Sequence, residues 1–81
     1  MNKLARLILE HLDKAGGHML PEEGFYSELR QMCRPVATED EWTDAIYLLL
    51  QKEYIGFKRD ELTDEKKYFI KEAGQAVLRR A

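Results

Sequence analysis

Two pairs of adjacent cations, Lys58-Arg59 and Lys66-Lys67, and one run of carboxylates, Glu39, Asp40, Glu41 and Asp44, hold most of the chemistry this sequence can offer. On neighbouring strands the four cations would gather near the base of a ribbon, where they could grip phosphates. Each such contact adds to the salt dependence of binding. Asp60, Glu61, Asp64 and Glu65 between the pairs would neutralise part of that charge. Cations on exposed strands also keep a sheet edge from pairing with another chain. The carboxylate run has a plainer reading than a catalytic pair. It falls where a helix would begin, and negative charge in a first turn is favoured by the peptide dipoles there.

Charge divides along the chain. Residues 38–53 hold five acids and one base, a local −4, whereas residues 54–81 hold seven bases and five acids, a local +2. The total of −2 argues mildly against an obligate nucleic-acid binder, which usually carries a basic excess.

Other reactive residues are sparse. His11 and His18 stand alone, and the single Cys33 can form no intramolecular disulfide and belongs to no zinc-spaced cluster. Beside Leu29 and Met32, Cys33 reads as a small buried thiol. A glycine-rich phosphate loop, a nucleophile elbow and a metal-binding helix pair are all missing from the sequence. The expectation is therefore a protein that is not an enzyme and uses no cofactor or metal.

With 81 residues there is material for one core, so residues 1–81 are expected to form a single domain. An apolar fraction of 44% is that of a globular chain and outweighs the 35% charged fraction as a sign of disorder. No apolar run approaches the ~18–20 residues needed to span a membrane. Met1–Glu10 is too charged and too periodic for a secretory signal, so a cytoplasmic protein is expected.

The elements that would position the charges can be read in order. Leu4, Leu7, Ile8, His11, Leu12 and Ala15 form a one-sided helical stripe, and Gly16-Gly17 ends it. Ala5 and Leu9 widen that face, for packing against a C-terminal helix or, less favoured, a second copy of the chain as a homodimer. His18-Met19-Leu20 reads as a short strand. Pro21-Glu22-Glu23 then opens a second helix with Phe25, Leu29, Met32 and Cys33 on its buried face. Gly24 within it suggests close approach to another backbone. Arg34-Pro35-Val36-Ala37 turns the chain.

A third helix runs from Thr38 to about Glu53. Thr38 and Glu41 form a reciprocal cap, and Trp42, Ala45, Ile46, Leu49 and Leu50 form its apolar stripe. A β-hairpin follows over 54–70, in which Ile55, Phe57, Tyr68 and Ile70 alternate with polar residues around the loop 60–65. Lys71–Arg80 reads as a short helix with Ala73, Ala76 and Val77 inward and Arg79 and Arg80 in the last turn. Trp42, Ile46, Leu49 and Phe57 are expected to share one dry interior with the first helix.

The runs Leu48-Leu49-Leu50-Gln51-Lys52-Glu53-Tyr54-Ile55-Gly56-Phe57 and Tyr68-Phe69-Ile70-Lys71-Glu72-Ala73-Gly74 resemble the winged helix-turn-helix superfamily, loosely its MarR-type and PadR-type regulators. Tyr68, Ile70, Glu72 and Gly74 match a run common in those regulators. Lys71 stands where a capping threonine is usual, and Glu53 where a helix-ending glycine is common. The resemblance implies an α+β fold: three core helices, a β-hairpin wing and a short C-terminal helix. It also implies a DNA-binding or transcription-associated role, with the third helix in the major groove.

On that reading Lys58, Arg59, Lys66, Lys67, Thr43, Tyr47 and Gln51 would meet double-stranded DNA. The acids on the same helix oppose it, since a carboxylate repels phosphate and can read only a cytosine amine. The alternative is a protein-interaction module in which Asp40 and Asp44 rim a centre made by Tyr47 and Leu48, because interface cores favour aromatic over charged residues.

Overall fold

The computed structural model describes residues 2–16 and 18–80. They form α1 (Lys3–Lys14), β1 (Leu20–Pro21), α2 (Glu22–Met32), α3 (Glu39–Gln51), β2 (Ile55–Arg59), β3 (Lys66–Ile70) and α4 (Glu72–Arg80). The fold is α+β, with four helices beside one antiparallel three-stranded sheet of order β1-β3-β2.

Each helix starts where a side chain or the local charge can satisfy its free N–H groups. Asn2 accepts from the Ala5 N–H at 2.8 Å to open α1. Thr38 accepts from the Glu41 N–H at 3.1 Å while Glu41 accepts from the Thr38 N–H at 3.1 Å, the reciprocal cap expected for α3. α1 ends with Ala15 as its cap, and Gly16 follows with φ of 64°. Gly17, expected to share in that ending, lies outside the described residues.

At the end of α3, Glu53 takes φ of 59° and the Tyr54 N–H donates to the Leu49 carbonyl at 3.0 Å. The left-handed position that ends the helix is thus filled by a glutamate. Arg30 locks the turn between α2 and α3 from both sides. Its Nε donates to the Ala37 carbonyl at 2.7 Å, and its own carbonyl accepts from the Ala37 N–H at 3.2 Å.

The interior gathers Leu4, Ala5, Ile8, Leu9 and Leu12 of α1 against Phe25 and Leu29 of α2 and Trp42, Ala45, Ile46 and Leu49 of α3. Ile55, Tyr68 and Ile70 close it from the sheet. Ala5 and Leu9 are completely buried within the chain, where α1 packs on α2, α3, α4 and β3. Cys33 is buried, as expected, and its thiol donates to the Leu29 carbonyl at 3.7 Å.

Several expectations need correction. β1 is Leu20–Pro21 rather than 18–20: Pro21 is extended, lies opposite Lys67 in the sheet and caps α2 instead of belonging to it. Met32 is 51% exposed, because Phe25, Leu29 and Cys33 follow one i, i+4, i+8 stripe and Met32 falls on its flank. Gly24 approaches nothing; a methyl there would lie in open space. Phe57 is 46% exposed, whereas Tyr68, its partner across the ladder, is 2% exposed. Phe57 lies on the edge strand β2, whereas Tyr68 lies on the central strand β3 and is covered by Phe25 at 5.8 Å.

In α4, Ala73 is exposed and the inward residues are Gly74 and Leu78, with Ala76 and Val77 half-buried. The phase is set by Gly74, which abuts the Tyr54 carbonyl oxygen that also accepts from the Lys71 N–H at 2.9 Å. A methyl at Gly74 would overlap that oxygen and press on Ile70. Gly74→Ala is therefore expected to lose about 2 kcal/mol in urea denaturation. In an ordinary helix interior the same change gains about 0.5–1 kcal/mol, so the sign of the effect tests the contact.

Candidate functional site

The outward side of α3 carries the acids. Asp40, Asp44 and Tyr47 are all exposed and lie at i, i+4 and i+7, with Tyr47 at 65% exposure. Thr43 and Gln51 are exposed beside them. Leu48 is half-buried and lines an apolar depression with Lys52, Tyr54 and Val77, between α3 and α4. It thus belongs to the flank of the acidic face rather than to its centre.

Beside this face a cleft of about 420 Å³ opens between the start of α2, the start of α3 and the β2–β3 loop. Five carboxylates line it: Glu22 and Glu23 from α2, Glu39 from α3, and Asp64 and Glu65 from the loop. Tyr26 and Lys66 complete the lining, so Lys66 is the one cation among the described lining residues. A second hollow of about 210 Å³ shares Glu22 and Lys66 with the first and runs along α3 past Trp42, Thr43, Ile46, Tyr47 and Leu50 to Tyr68. The two make one groove, acidic at one end and aromatic at the other.

Aromatic side chains interlock beneath the groove. Phe25 sits 5.4 Å from Trp42 and 5.8 Å from Tyr68, edge-on to the latter. Tyr26 stands edge-on to Trp42 at 5.1 Å, and its hydroxyl accepts from Arg30 Nη1 at 2.9 Å. Burial, with the Glu39 carboxylate facing it, raises the Tyr26 phenol above its ordinary pKa. For Tyr68, burial and the nearby Glu22 push the phenol up to about 12. Both hydroxyls thus stay neutral donors beside carboxylates. Trp42 is 3% exposed, and its indole N–H finds no acceptor among the described residues.

The four hairpin cations do not gather as expected. They sit at the loop end of the hairpin, not at its base, and they divide between two faces. Arg59 lies opposite Lys66, and Lys58 opposite Lys67. Because successive strand residues point to opposite faces, the first pair shares the inward face with Phe57 and Tyr68. The second pair shares the outward face with Phe69.

Two of the four are also neutralised by the loop. Arg59 pairs with Asp64 at 3.4 Å and Lys67 with Asp60 at 3.6 Å. Asp60 is a strong partner, since the Leu62 and Thr63 N–H groups donate to it at 2.8 and 3.4 Å and, with Lys67, hold its carboxyl below the ordinary range. Lys66 lies 5.8 Å over the Phe57 ring. Lys58 and Lys66 form no ion pair among the described residues.

His11 is half-buried and stacks on Phe25 at 6.0 Å. Among the described residues no cluster of His, Cys, Asp or Glu has the arrangement to hold a metal ion. No described helix is long and apolar enough to cross a membrane.

Sequence reasoning missed Glu22, Glu23, Tyr26 and Glu65 as parts of one site with Glu39, Asp64 and Lys66. The acids of the second helix and the loop were visible, but the pairing of β1 with β3 is what sets the start of α2 beside the β2–β3 loop. No known protein family, curated protein or solved structure matches the chain.

Proposed function

We propose that this chain is a winged-helix domain acting as a protein-interaction module, without catalytic activity, that binds a basic partner through the acidic face of α3. The order helix–strand–helix–helix–strand–strand–helix supports the winged-helix reading, together with the resemblance of residues 48–57 and 68–74. One observation carries the choice of partner. The surface that would have to enter a major groove presents Asp40 and Asp44 and adjoins a cleft with five carboxylates and one lysine. A phosphate backbone is repelled there, and a cationic protein surface is attracted.

A second reading keeps double-stranded DNA as the target. The direct opposition of Lys58 and Lys67 on the outward face of the hairpin favours it, with Lys58 in no ion pair among the described residues. Lys71 lies near the same face, close over Gly56, with Glu53 at 3.9 Å from its ammonium.

Lys66 separates the two readings by the sign of its effect. It is the cation that the acidic groove would shed on meeting a basic partner, and one of the cations that DNA would require. Lys66→Met is expected to tighten binding of an oligolysine peptide about threefold at low salt, on the order of 0.7 kcal/mol for a partly exposed charge. Measured by calorimetric titration, weaker peptide binding together with weaker duplex binding would instead favour the DNA reading.

A further inference from the structure

β2 is an edge strand whose one neighbour among the described residues is β3. The bonds at its two ends fix which of its residues turn toward that neighbour. The Lys71 N–H donates to the Tyr54 carbonyl at 2.9 Å, and the Asp60 N–H donates to the Glu65 carbonyl at 2.8 Å. In an antiparallel ladder hydrogen-bonded pairs alternate with unbonded ones. Gly56 and Lys58 are therefore bonded to Phe69 and Lys67, while Phe57 and Arg59 aim their N–H and C=O groups away from β3. Residues 57–59 are exposed and residues 55–56 are buried, so the open span begins at Phe57. The far edge offers less: β1 has two residues, and Pro21 has no N–H to give.

The side chains along the open span set the character of what can join it. Phe57 is 46% exposed on the inward face. On the outward face the Phe69 ring and the Lys71 stem lie across Gly56, where a Cβ would overlap the ring. Beside these apolar surfaces stand Lys58, in no ion pair among the described residues, and Arg59, which Asp64 meets at 3.4 Å. A second copy fits badly. Two β2 strands paired about Lys58 set like charges directly opposite one another. Paired about Phe57, they bring Arg59 against Ile55, which is closed off at 1% exposure.

We propose that β2 binds an extended acidic segment of another protein, which joins the sheet as an antiparallel fourth strand beside Phe57, Lys58 and Arg59. Main-chain bonds to Phe57 and Arg59 hold the segment, and its alternating side chains are what the edge selects. Carboxylates fall opposite Lys58 and Arg59, and apolar residues fall opposite Phe57 and Gly56. Cations that keep like strands off the edge thereby admit one of opposite charge. The site uses main-chain groups of β2 and none of the acids of α3, so neither reading depends on the other.

The test is a titration of the intact, isotope-labelled chain with the end-blocked hexapeptide threonine-glutamate-glutamate-valine-valine-threonine and with its lysine counterpart. In the free chain the Phe57 and Arg59 amides are expected to exchange with deuterium faster than those of Gly56 and Lys58. The glutamate peptide is expected to shift and protect Phe57 and Arg59 saturably, about fivefold more tightly than the lysine peptide at low salt. Methylating the amide nitrogens of its first glutamate and first valine, which face β2, is expected to abolish binding. Methylating those of the second glutamate and second valine, which point away, is expected to spare it. Lys58→Glu is expected to weaken the glutamate peptide about tenfold with the thermal midpoint kept.

Equal affinity for the two peptides, or no response at millimolar peptide, would overturn the proposal, since the cations would then only guard the edge. Equal loss from the two methylation patterns would do the same, by showing contact through side chains alone. Protection of Phe57 and Arg59 that rises with protein concentration in the absence of peptide would replace the acidic segment with a second copy. A response of Lys58 and Lys67 to a DNA duplex, with none to either peptide, would replace it with nucleic acid.

Discussion

Trp42→Ala is expected to leave the chain largely unfolded at physiological temperature. Truncating a buried tryptophan costs about 3–5 kcal/mol in lost transfer free energy and residual cavity. A small domain has on the order of 5 kcal/mol of stability to lose. Trp42 is 3% exposed and joins the layers: its ring meets Phe25 at 5.4 Å and Tyr26 at 5.1 Å, and Phe25 in turn meets Tyr68 and His11. Removing it uncouples α3 from α2 and leaves the inward face of β3 half covered. Circular dichroism with urea titration reads the effect directly. Tyr47→Ala, five residues along the same helix but 65% exposed, is the control and is expected to stay within about 0.5 kcal/mol of the parent. A loss at Tyr47 comparable to that at Trp42 would mean that the two sides of α3 have been assigned wrongly.

That contrast shows what one-dimensional pattern can deliver. Trp42, Ala45, Ile46 and Leu49 repeat at helical spacing behind a Thr38–Glu41 cap, and both the helix and its buried side follow from local rules. The alternation of Ile55 with polar neighbours, and of Tyr68 with Ile70, likewise gives a hairpin. The left-handed backbone at Glu53 was not legible, because a glutamate gives no local signal for a positive φ. Adjacent cations were misread for a reason equally local. Lys58 and Arg59 are consecutive in one strand, so they must point to opposite faces, and closeness in sequence guarantees separation in space.

The groove is another matter. Its acids come from residues 22–23, 39 and 64–65, and those of α2 meet those of the loop because β1 pairs with β3 through only Leu20 and Pro21. A two-residue strand leaves almost no periodic signal, and Pro21 masks it by resembling a helix start. The same limit explains Phe57. Alternation assigns its face, but how far the helices extend over that face depends on tertiary packing alone. Ala73 shows the limit in a helix, since the inward phase of α4 is fixed by the contact of Gly74 with Tyr54 rather than by its own apolar residues.

Reversing the charge of α3 should exchange the partner that the chain prefers. In the double variant Asp40→Lys, Asp44→Lys the outward face of the helix passes from two carboxylates to two ammonium groups, a local change of four charges at exposed positions. At about 1 kcal/mol per reversed side chain near a screened protein surface, binding of an oligolysine peptide is expected to fall about thirtyfold. Binding of a short DNA duplex should rise over the same salt range and acquire a steeper salt dependence, because each new cation that meets a phosphate releases a counterion. The fold should tolerate the change at a cost below about 1 kcal/mol, since both positions are exposed and only Asp40 lies in the first helical turn, where a carboxylate is favoured. The thermal midpoint separates lost binding from lost structure. If the parent chain already binds duplex as tightly as the variant does, the acids of α3 do not face the ligand. The recognition surface would then lie on the hairpin, at Lys58 and Lys67.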